Sequence, residues 1–284
     1  MNILLITFIT TLFAFFMVWL ASVKMKDAGI VDFYWGPGFA LNAWIGIYFV
    51  SLAPSGPLLY AQYAFALLIT LWAVRLTLQL VLRHINAKHE DARYLKMRKK
   101  GGEGFWIASL YKIFLPQAII QWLISSTILA VFIYAPNFAP SDALALPFAS
   151  SALFYVLFFI GFIIFAAGLV IESIADWQMF KAKASLLPNT TYTGGLWFYA
   201  RHPNYLGEII AWAGLSICAF ALCAHPIVFF GPAFLAFVIC FISQSITQKH
   251  LEGSRKDYAP YLKSTPRILP NIMEAFKPFA STTK

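Results

Sequence analysis

The chain has little charge and little cysteine. Only 12% of its 284 residues are charged, whereas 60% are hydrophobic. This composition excludes an ordinary soluble globular protein. The cysteines, Cys218, Cys223 and Cys240, have no spacing typical of a zinc or haem site. We interpret them as small packing residues and predict no bound metal.

Several motifs of soluble enzymes are also missing. No Gly-x-Gly-x-x-Gly stands between a strand and a helix, and Gly101-Gly102-Glu103-Gly104 is only a glycine-rich turn. There is no Walker motif, no serine nucleophile elbow and no His-Glu-x-x-His. A bound dinucleotide would therefore need a site other than a Rossmann domain. We expect no nucleic-acid partner, because no separate basic domain offers such a surface.

What the sequence has instead is a series of long apolar segments. Each is long enough, or nearly so, to cross a bilayer. They predict an all-α integral membrane protein with seven transmembrane helices in a single domain, 1–284. The first segment lacks the basic start and cleavage site of a signal peptide. The predicted spans are 2–23, 36–54, 58–82, 112–135, 147–180, 205–223 and 226–248. The fifth is longer than a membrane needs, so we expect its end from Glu172 onward to project beyond the hydrocarbon.

The positive charges predict the orientation of these spans. All lysines and arginines except Arg75 fall in 24–35, 83–112, 181–203 and the tail from 249. The opposite segments, 51–57, 136–146 and 224–225, have none. By the positive-inside rule the N-terminus is outside and the C-terminus is cytoplasmic. The basic loop 83–112 either contacts anionic membrane lipids or binds a phosphorylated ligand.

The first polar clusters lie near spans two and three. Asp32 precedes a run of aromatic residues that includes Tyr34. It is either a helix N-cap or a carboxylic acid in an aromatic pocket, with a raised pKa and a proton to donate. Arg75 lies inside span three, where it either snorkels or faces inward towards an acid or a phosphate.

The loop from Arg83 to Lys100 contains Asp91, Arg93 and Tyr94. It is either a solvated surface loop or a nucleotide site. In a nucleotide site, arginine binds phosphate and carboxylates bind ribose hydroxyls.

The last cluster joins span five to the start of span six. Glu172 and Asp176 share one helix face, where two like charges need solvent or a shared cation. Lys183 and Arg201 are candidates for that cation. Glu208 lies inside an apolar run, and an ionisable residue at membrane depth indicates a functional site. The neighbouring polar residues are Arg201, His202, Asn204 and Tyr205.

These motifs together resemble the bacterial branch of the steroid 5α-reductase family. The likeness covers nearly the whole chain and includes the family's C-terminal region at about 110–270. The residues that carry it are Asp-Phe-Tyr-Trp-Gly at 32–36, Glu-Asp-x-Arg-Tyr at 90–94, Glu172 with Asp176, Gly-Gly-Leu-Trp…Arg-His-Pro-Asn-Tyr-Leu-Gly-Glu at 194–208, and the tail 256–270.

The resemblance implies an NADPH-dependent reductase that acts on the activated double bond of a lipophilic enone, such as a 3-oxo-Δ4 steroid. It implies a multi-pass protein of the bacterial inner membrane whose active site opens to the cytoplasm. Asp32 matches the residue that engages the substrate carbonyl, and Tyr34 is its candidate partner. The implied cofactor-binding residues are Arg75, Arg83, Asp91, Arg93, Tyr94, Glu172, Asp176, Lys183, Arg201, His202, Asn204, Tyr205 and Glu208.

A membrane methyltransferase of the isoprenylcysteine carboxyl type is the alternative. It shares the Arg-His-Pro-x-Tyr motif and uses S-adenosylmethionine. That group usually has a Glu-Glu pair after its last span, where this chain has the single Glu252. It also lacks the upstream Asp-x-x-Trp-Gly and Asp-x-Arg-Tyr elements. A transporter or lipid-binding scaffold is a further reading, although the charges here gather on one side.

Overall fold

The described part of the chain is helical throughout. The computed structural model describes residues 2–52, 58–87, 90–135, 152–187, 190–255 and 257–269, and these contain no β-strand. Residues 53–57 of the predicted outer loop 51–57, the predicted outer loop 136–146, the start of span five at 147–151 and the tail from 270 lie outside the described residues. The all-α fold class is therefore confirmed for the described chain.

The α-helices are numbered here in chain order, and short 3₁₀ and π turns connect some of them. They are α1 Ile3–Met25, α2 Trp35–Ser51, α3 Leu58–Ala87, α4 Ala92–Gly101, α5 Phe105–Ser109, α6 Leu115–Ile124, α7 Ser126–Tyr134, α8 Ala152–Ser185, α9 Leu196–Tyr199, α10 Pro203–Cys223, α11 Phe230–Phe237, α12 Gln244–Ser254 and α13 Tyr258–Ser264. The 3₁₀ helices are Ala28–Tyr34, Gly102–Gly104 and Pro226–Phe229, and the π-helical turns are Leu110–Phe114 and Val238–Ser243.

Six helical stretches of the described chain are long and apolar enough to cross a bilayer, which indicates a multi-pass membrane protein. They are Ile3–Met25, Leu58–Asn86, Ala92–Ile124, Ala152–Lys183, Pro203–Cys223 and Pro226–Ser243. The predicted span at 36–54 corresponds to α2, which has 17 residues. At 1.5 Å per residue this helix is about 26 Å long, slightly less than the hydrocarbon thickness of about 30 Å. The seventh span and the orientation stay predictions.

The helix boundaries differ from the prediction most after α3. The sequence predicts a loop over 83–112, but α3 continues to Ala87 and a new helical stretch begins at Ala92. Asp91 explains this start, because its side chain accepts a hydrogen bond from the backbone N–H of Arg93 and so caps α4. The helical stretch that contains predicted span four thus begins at Ala92, well before the predicted start of the span at 112.

Contacts divide the chain into two compact units. One unit contains Met1–Phe162 and Leu215–Phe234, and the other contains Ile163–Gly214 and Leu235–Lys284. This division does not test the prediction of a single membrane domain over 1–284, which stays a prediction.

Buried polar side chains connect the helices of the first unit. Asn42 on α2 is fully buried, and its amide donates to the hydroxyl of Ser125 at 3.0 Å. Trp122 on α6 donates to the hydroxyl of Thr7 on α1 at 3.2 Å. Hydrogen bonds of this kind hold helices together where lipid removes the hydrophobic driving force between them.

In the second unit, α8 and α10 approach closely at two glycines. A side chain on Gly207 would place its Cβ 2.5 Å from the backbone nitrogen of Glu172. A side chain on Gly168 would place its Cβ 2.3 Å from the backbone nitrogen of Ala211. Small residues at such contacts let two membrane helices pack backbone against backbone. The contact brings Glu172 beside the first turns of α10.

We expect Gly207→Ala to destabilise the protein, because the added methyl group overlaps the α8 backbone and overpacking costs about 1–3 kcal/mol. Thermal unfolding in detergent should show a lower midpoint for this variant. Gly104→Ala is the matched control, because a Cβ at Gly104 has no atom within 4 Å. Equal midpoints for the two variants would contradict the close helix contact.

Candidate active site

Asp32 is bound by two side chains from α4. Arg93 donates from Nη2 to Asp32 Oδ2 at 2.9 Å, and the Tyr94 hydroxyl donates to Asp32 Oδ1 at 2.8 Å. The N-cap position of α2 belongs to Tyr34, whose side chain makes no capping hydrogen bond. The reading of Asp32 as a helix N-cap was therefore wrong, and Asp32 instead joins the segment before α2 to α4.

Asp91 holds the same arginine from the other side. Its carboxylate accepts from Arg93 Nε at 2.9 Å and from Arg93 Nη2 at 3.2 Å. Arg83, near the end of α3, lies 3.6 Å from Asp91 Oδ2. The guanidinium of Arg93 thus lies between two carboxylates, an arrangement that suits its planar set of N–H groups.

The reading of this region as a solvated surface loop was also wrong. Only 6% of Tyr94 is exposed, and Glu90 is buried as well. Glu90 accepts from the backbone N–H of Ala28 at 2.8 Å and pairs with Arg98 at 2.8 Å. Buried polar groups need such partners, because an unpaired one costs the full free energy of desolvation.

The two aspartates of this cluster have opposite pKa shifts. Burial raises the pKa of Asp32 above its usual value, although Arg93 and Tyr94 act in the opposite direction. Burial also disfavours the charged form of Asp91, but hydrogen bonds from Arg93 and its positive charge outweigh it and hold the pKa of Asp91 below its usual range. Asp91 therefore stays ionised to lower pH than Asp32.

Tyr34 has a buried hydroxyl group with no hydrogen-bond partner among the residues that the structure describes. Its ring contacts Phe15 of α1 edge-on, with 5.1 Å between the ring centroids. Burial raises the pKa of Tyr34 to about 12. The group is therefore a neutral donor at physiological pH, and no described residue accepts its hydrogen bond.

The two arginines predicted on span three both lie on α3. Arg75 is half-buried and follows the buried Trp72 by three residues. The side chain of Arg83 is 55% exposed. The exposed side chain of Arg83 can therefore contact a ligand while it also pairs with Asp91.

In the second unit, the predicted residues collect where α8 passes the start of α10. Glu172 is buried, and its backbone lies against Gly207. Asn204 and Glu208 are one turn apart on α10 and flank this contact along the helix. The side-chain oxygen of Asn204 is buried and has no hydrogen-bond partner within the described ranges. Asp176 follows Glu172 by one turn on α8 and is half-buried.

Arg201 binds the C-terminal segment. Its backbone N–H donates to Pro266 O at 2.9 Å, its Nε donates to Thr265 O at 3.0 Å, and its Nη1 donates to Gln248 at 3.3 Å. Backbone carbonyl groups after α13 thus accept two hydrogen bonds from Arg201. The predicted pairing of Arg201 with Glu172 or Asp176 stays a prediction.

His202 is buried and stacks on Tyr205, with 5.2 Å between the ring centroids. Burial and the nearby positive charges of Arg201 and Arg267 lower the pKa of His202 to about 4. The imidazole is therefore neutral at physiological pH. Lys183 is exposed near the end of α8.

A cleft in the first unit is apolar and contains none of the predicted site residues. It measures about 180 Å³ and is lined by Leu4, Trp122, Leu123, Ser126, Leu129, Ile227 and Phe230. Within the described ranges, no group of three or more His, Cys, Asp or Glu side chains is arranged to hold a metal ion.

A family model described as "Protein of unknown function (DUF1295)" matches residues 18–265. The chain belongs to the DUF1295 family. This family is related to steroid 5-alpha-reductases, so part of the recognition from the sequence motifs is confirmed.

Two relatives match shorter parts of this DUF1295 protein. It is 38% identical over 64 residues to the steroid 5-alpha-reductase DET2 of Solanum lycopersicum, which covers 22% of this chain and 25% of the relative. It is 44% identical over 61 residues to the probable O-methyltransferase ustE of Ustilaginoidea virens, which covers 21% of each chain. The chain thus matches a quarter or less of the length of these relatives. No solved structure matches it.

The sequence analysis of the DUF1295 protein missed two glutamines on α6. Gln117 bonds to Trp35 and Tyr94, and Gln121 donates to the backbone carbonyl of Trp35 at 3.0 Å. A signal was present, because the two residues are four apart in an otherwise apolar run and so share one helix face. Polar residues at such positions in a span are usually paired.

We expect the DUF1295 protein to lose stability as the pH falls from 6.5 to about 4. In this window the unfolded chain takes up a proton at His202, whereas the folded protein keeps the ring neutral. The loss at this one site is on the order of 3 kcal/mol when complete. His202→Phe keeps a stacking ring without a titrating group, so its melting temperature should fall less over the same range.

Thermal unfolding between pH 4 and pH 7.5 measures both proteins, and matching circular dichroism at pH 7.5 is the control for folding. A variant with the same pH dependence as the wild-type protein would show that His202 is not the group responsible.

Proposed function

We propose that this protein is an NADPH-dependent reductase of the activated carbon–carbon double bond of a lipophilic enone, with a 3-oxo-Δ4 steroid as the first substrate to test. The site would open to the cytoplasm from the inner membrane of a bacterium. Its partners would be this lipophilic substrate and membrane lipids.

The observation that carries the proposal is membership of a family related to steroid 5-alpha-reductases. The partial match to the reductase of Solanum lycopersicum points to the same chemistry. Membrane-spanning helices suit a substrate that partitions into lipid, because such a substrate can enter the protein from the bilayer.

Buried polar atoms without partners test whether this chain suits a nucleotide cofactor. In the second unit they include the side-chain oxygen of Asn204 and both amide atoms of Gln244, judged against the described residues. A buried amide left without hydrogen bonds costs roughly 1–3 kcal/mol, so a polar ligand that supplies them gains that free energy. The carboxamide and ribose hydroxyls of NADPH offer donors and acceptors of this kind. The residues therefore fit the cofactor.

We assign the binding of NADPH to the residues that the family resemblance implies. The structural observation that supports the assignment differs from residue to residue. Asn204 has an oxygen to satisfy, Arg83 has an exposed positive charge, and the buried Glu172 lies against the same helix as Asn204. Arg201, His202 and Tyr205 support the start of α10. The remaining proposed cofactor-binding residues are Arg75, Asp91, Arg93, Tyr94, Asp176, Lys183 and Glu208.

We assign the binding of the substrate carbonyl group to the segment that carries Asp32 and Tyr34. A bound NADPH would supply a hydride for the β-carbon of an enone, and a proton from water would complete the saturated product at the α-carbon. The carbonyl oxygen would carry negative charge between the two transfers. The hydroxyl of Tyr34 suits the task of stabilising this charge, because it is buried, protonated and without an acceptor among the described residues. Asp32, two residues earlier, places the segment through its bonds to Arg93 and Tyr94.

An S-adenosylmethionine-dependent methyltransferase is the second candidate. The observation that favours it is the 44% identity over 61 residues to the probable O-methyltransferase of Ustilaginoidea virens. The motif Arg201-His202-Pro203 does not separate the two, since the resemblance to both enzyme groups includes it. Thermal unfolding with each cofactor would separate them, because a ligand that binds only the native state raises the melting temperature.

We expect purified protein to oxidise NADPH when a 3-oxo-Δ4 steroid is added, as measured by the absorbance of the reduced nicotinamide. Tyr34→Phe should lower kcat by about 10²–10³-fold, the usual cost of removing one donor to a developing oxyanion. Tyr60→Phe is the matched control, because Tyr60 is 83% exposed. Product analysis should show the saturated ketone.

Glu208→Gln should weaken NADPH binding, as measured by fluorescence titration. Failure to bind NADPH, or the absence of enone-dependent oxidation with a panel of lipophilic enones, would contradict the reductase. A melting temperature raised only by S-adenosylmethionine would favour the methyltransferase instead.

A further inference from the structure

Gln117 connects Trp35 to Tyr94, and its amide has one possible orientation there. The indole Nε1 of Trp35 lies 2.7 Å from Gln117 Oε1. An indole N–H can only donate a hydrogen bond, so the atom that faces it must be the amide oxygen. The amide nitrogen of Gln117 therefore faces the hydroxyl of Tyr94, at 3.3 Å.

This orientation decides the direction of the next hydrogen bond. The hydroxyl of Tyr94 has a single hydrogen atom and accepts a hydrogen bond from Gln117. Its other partner in the described chain is Asp32 Oδ1, at 2.8 Å. Tyr94 therefore donates to Asp32, and the chain from Trp35 through Gln117 and Tyr94 runs in one direction.

Among the described residues, the hydrogen-bond partner of the second oxygen of Asp32 is also a donor. Asp32 Oδ2 lies 2.9 Å from Arg93 Nη2, and a guanidinium cannot accept a hydrogen bond. A proton on either oxygen of Asp32 would weaken that oxygen as an acceptor, and so weaken one of these two hydrogen bonds. The charged groups that face Asp32 are Arg93 and Asp91 around the start of α4 and Arg83 on α3. Tyr94 differs from them, because the direction of its hydrogen bond to Asp32 can reverse.

We propose that Trp35 and Gln117 are positioning residues that hold Asp32 as a carboxylate, an acceptor of hydrogen bonds and not a donor. Asp32 then orients Arg93 and Tyr94 but does not donate to a ligand. If the proposed reductase function holds, the donor to the substrate carbonyl is Tyr34 and not Asp32. The protonation state of Asp32 itself does not depend on that function.

The test follows the protonation of Asp32 by infrared spectroscopy on ligand-free protein in detergent. The carbonyl stretch of a protonated carboxyl group is assigned to Asp32 by its loss in Asp32→Asn. In the wild-type protein this band should be absent at pH 7 and appear only in acid. Gln117→Leu frees Tyr94 to accept from Asp32, so the midpoint of the band should move to higher pH by about one unit.

Trp35→Phe is the second variant, because it removes the indole N–H but leaves Gln117 in place. The amide can then rotate and accept from Tyr94, so the midpoint should move in the same direction. Gln121→Leu is the matched control. It removes hydrogen bonds to the backbone of Tyr34 and Trp35 one turn further along α6, but it does not contact Tyr94.

A larger shift for Gln117→Leu and Trp35→Phe than for Gln121→Leu supports the proposal. Equal shifts for all three variants would assign the effect to general loosening of the segment and overturn it. A band for protonated Asp32 in the wild-type protein at pH 7 would also overturn it. Because the measurement uses neither NADPH nor substrate, a failure of the proposed reductase activity would leave its outcome unaffected.

Discussion

The carboxylate of Asp32 binds the short segment before α2 to the helix that follows α3. Residues 28–34 form only a 3₁₀ helix, whose hydrogen bonds are weaker than those of an α-helix. The segment therefore depends on side chains from elsewhere in the first unit. Arg93 and Tyr94 bind Asp32, and Glu90 binds the backbone at Ala28. These contacts help to hold the segment that carries Tyr34.

The second unit depends on a different interaction, which is the close contact between α8 and α10. The absence of side chains at Gly168 and Gly207 lets the two backbones meet, and this places Glu172 beside the turn that holds Asn204 and Glu208. Arg201 donates hydrogen bonds to backbone carbonyl groups of the C-terminal segment. One group of polar residues thus maintains the architecture, while Asn204 keeps a buried oxygen without a partner in the described chain.

This separation of roles is informative about function. The charged residues around Asp32 and Asp91 are paired with one another, so their conspicuous sequence motif reflects structure as much as ligand binding. Among the groups whose hydrogen-bonding capacity is unused within the described residues, Tyr34, Asn204 and Gln244 are neutral. Neutral donors and acceptors in a dry environment suit a reaction in which charge appears only on the substrate. The relation to steroid 5-alpha-reductases is consistent with such a reaction.

The sequence by itself determined that the chain is helical and crosses a membrane, and it pointed to the polar residues around Asp32, Asp91 and Glu172. Apolar length and periodicity are local properties, so they can be read without the fold. The tertiary structure decided which partner each polar residue has: Arg93 for Asp32, the C-terminal segment for Arg201 and Gln117 for Tyr94. The sequence could not show these pairs, because a hydrogen bond depends on which helices become neighbours and on the rotation of each about its axis.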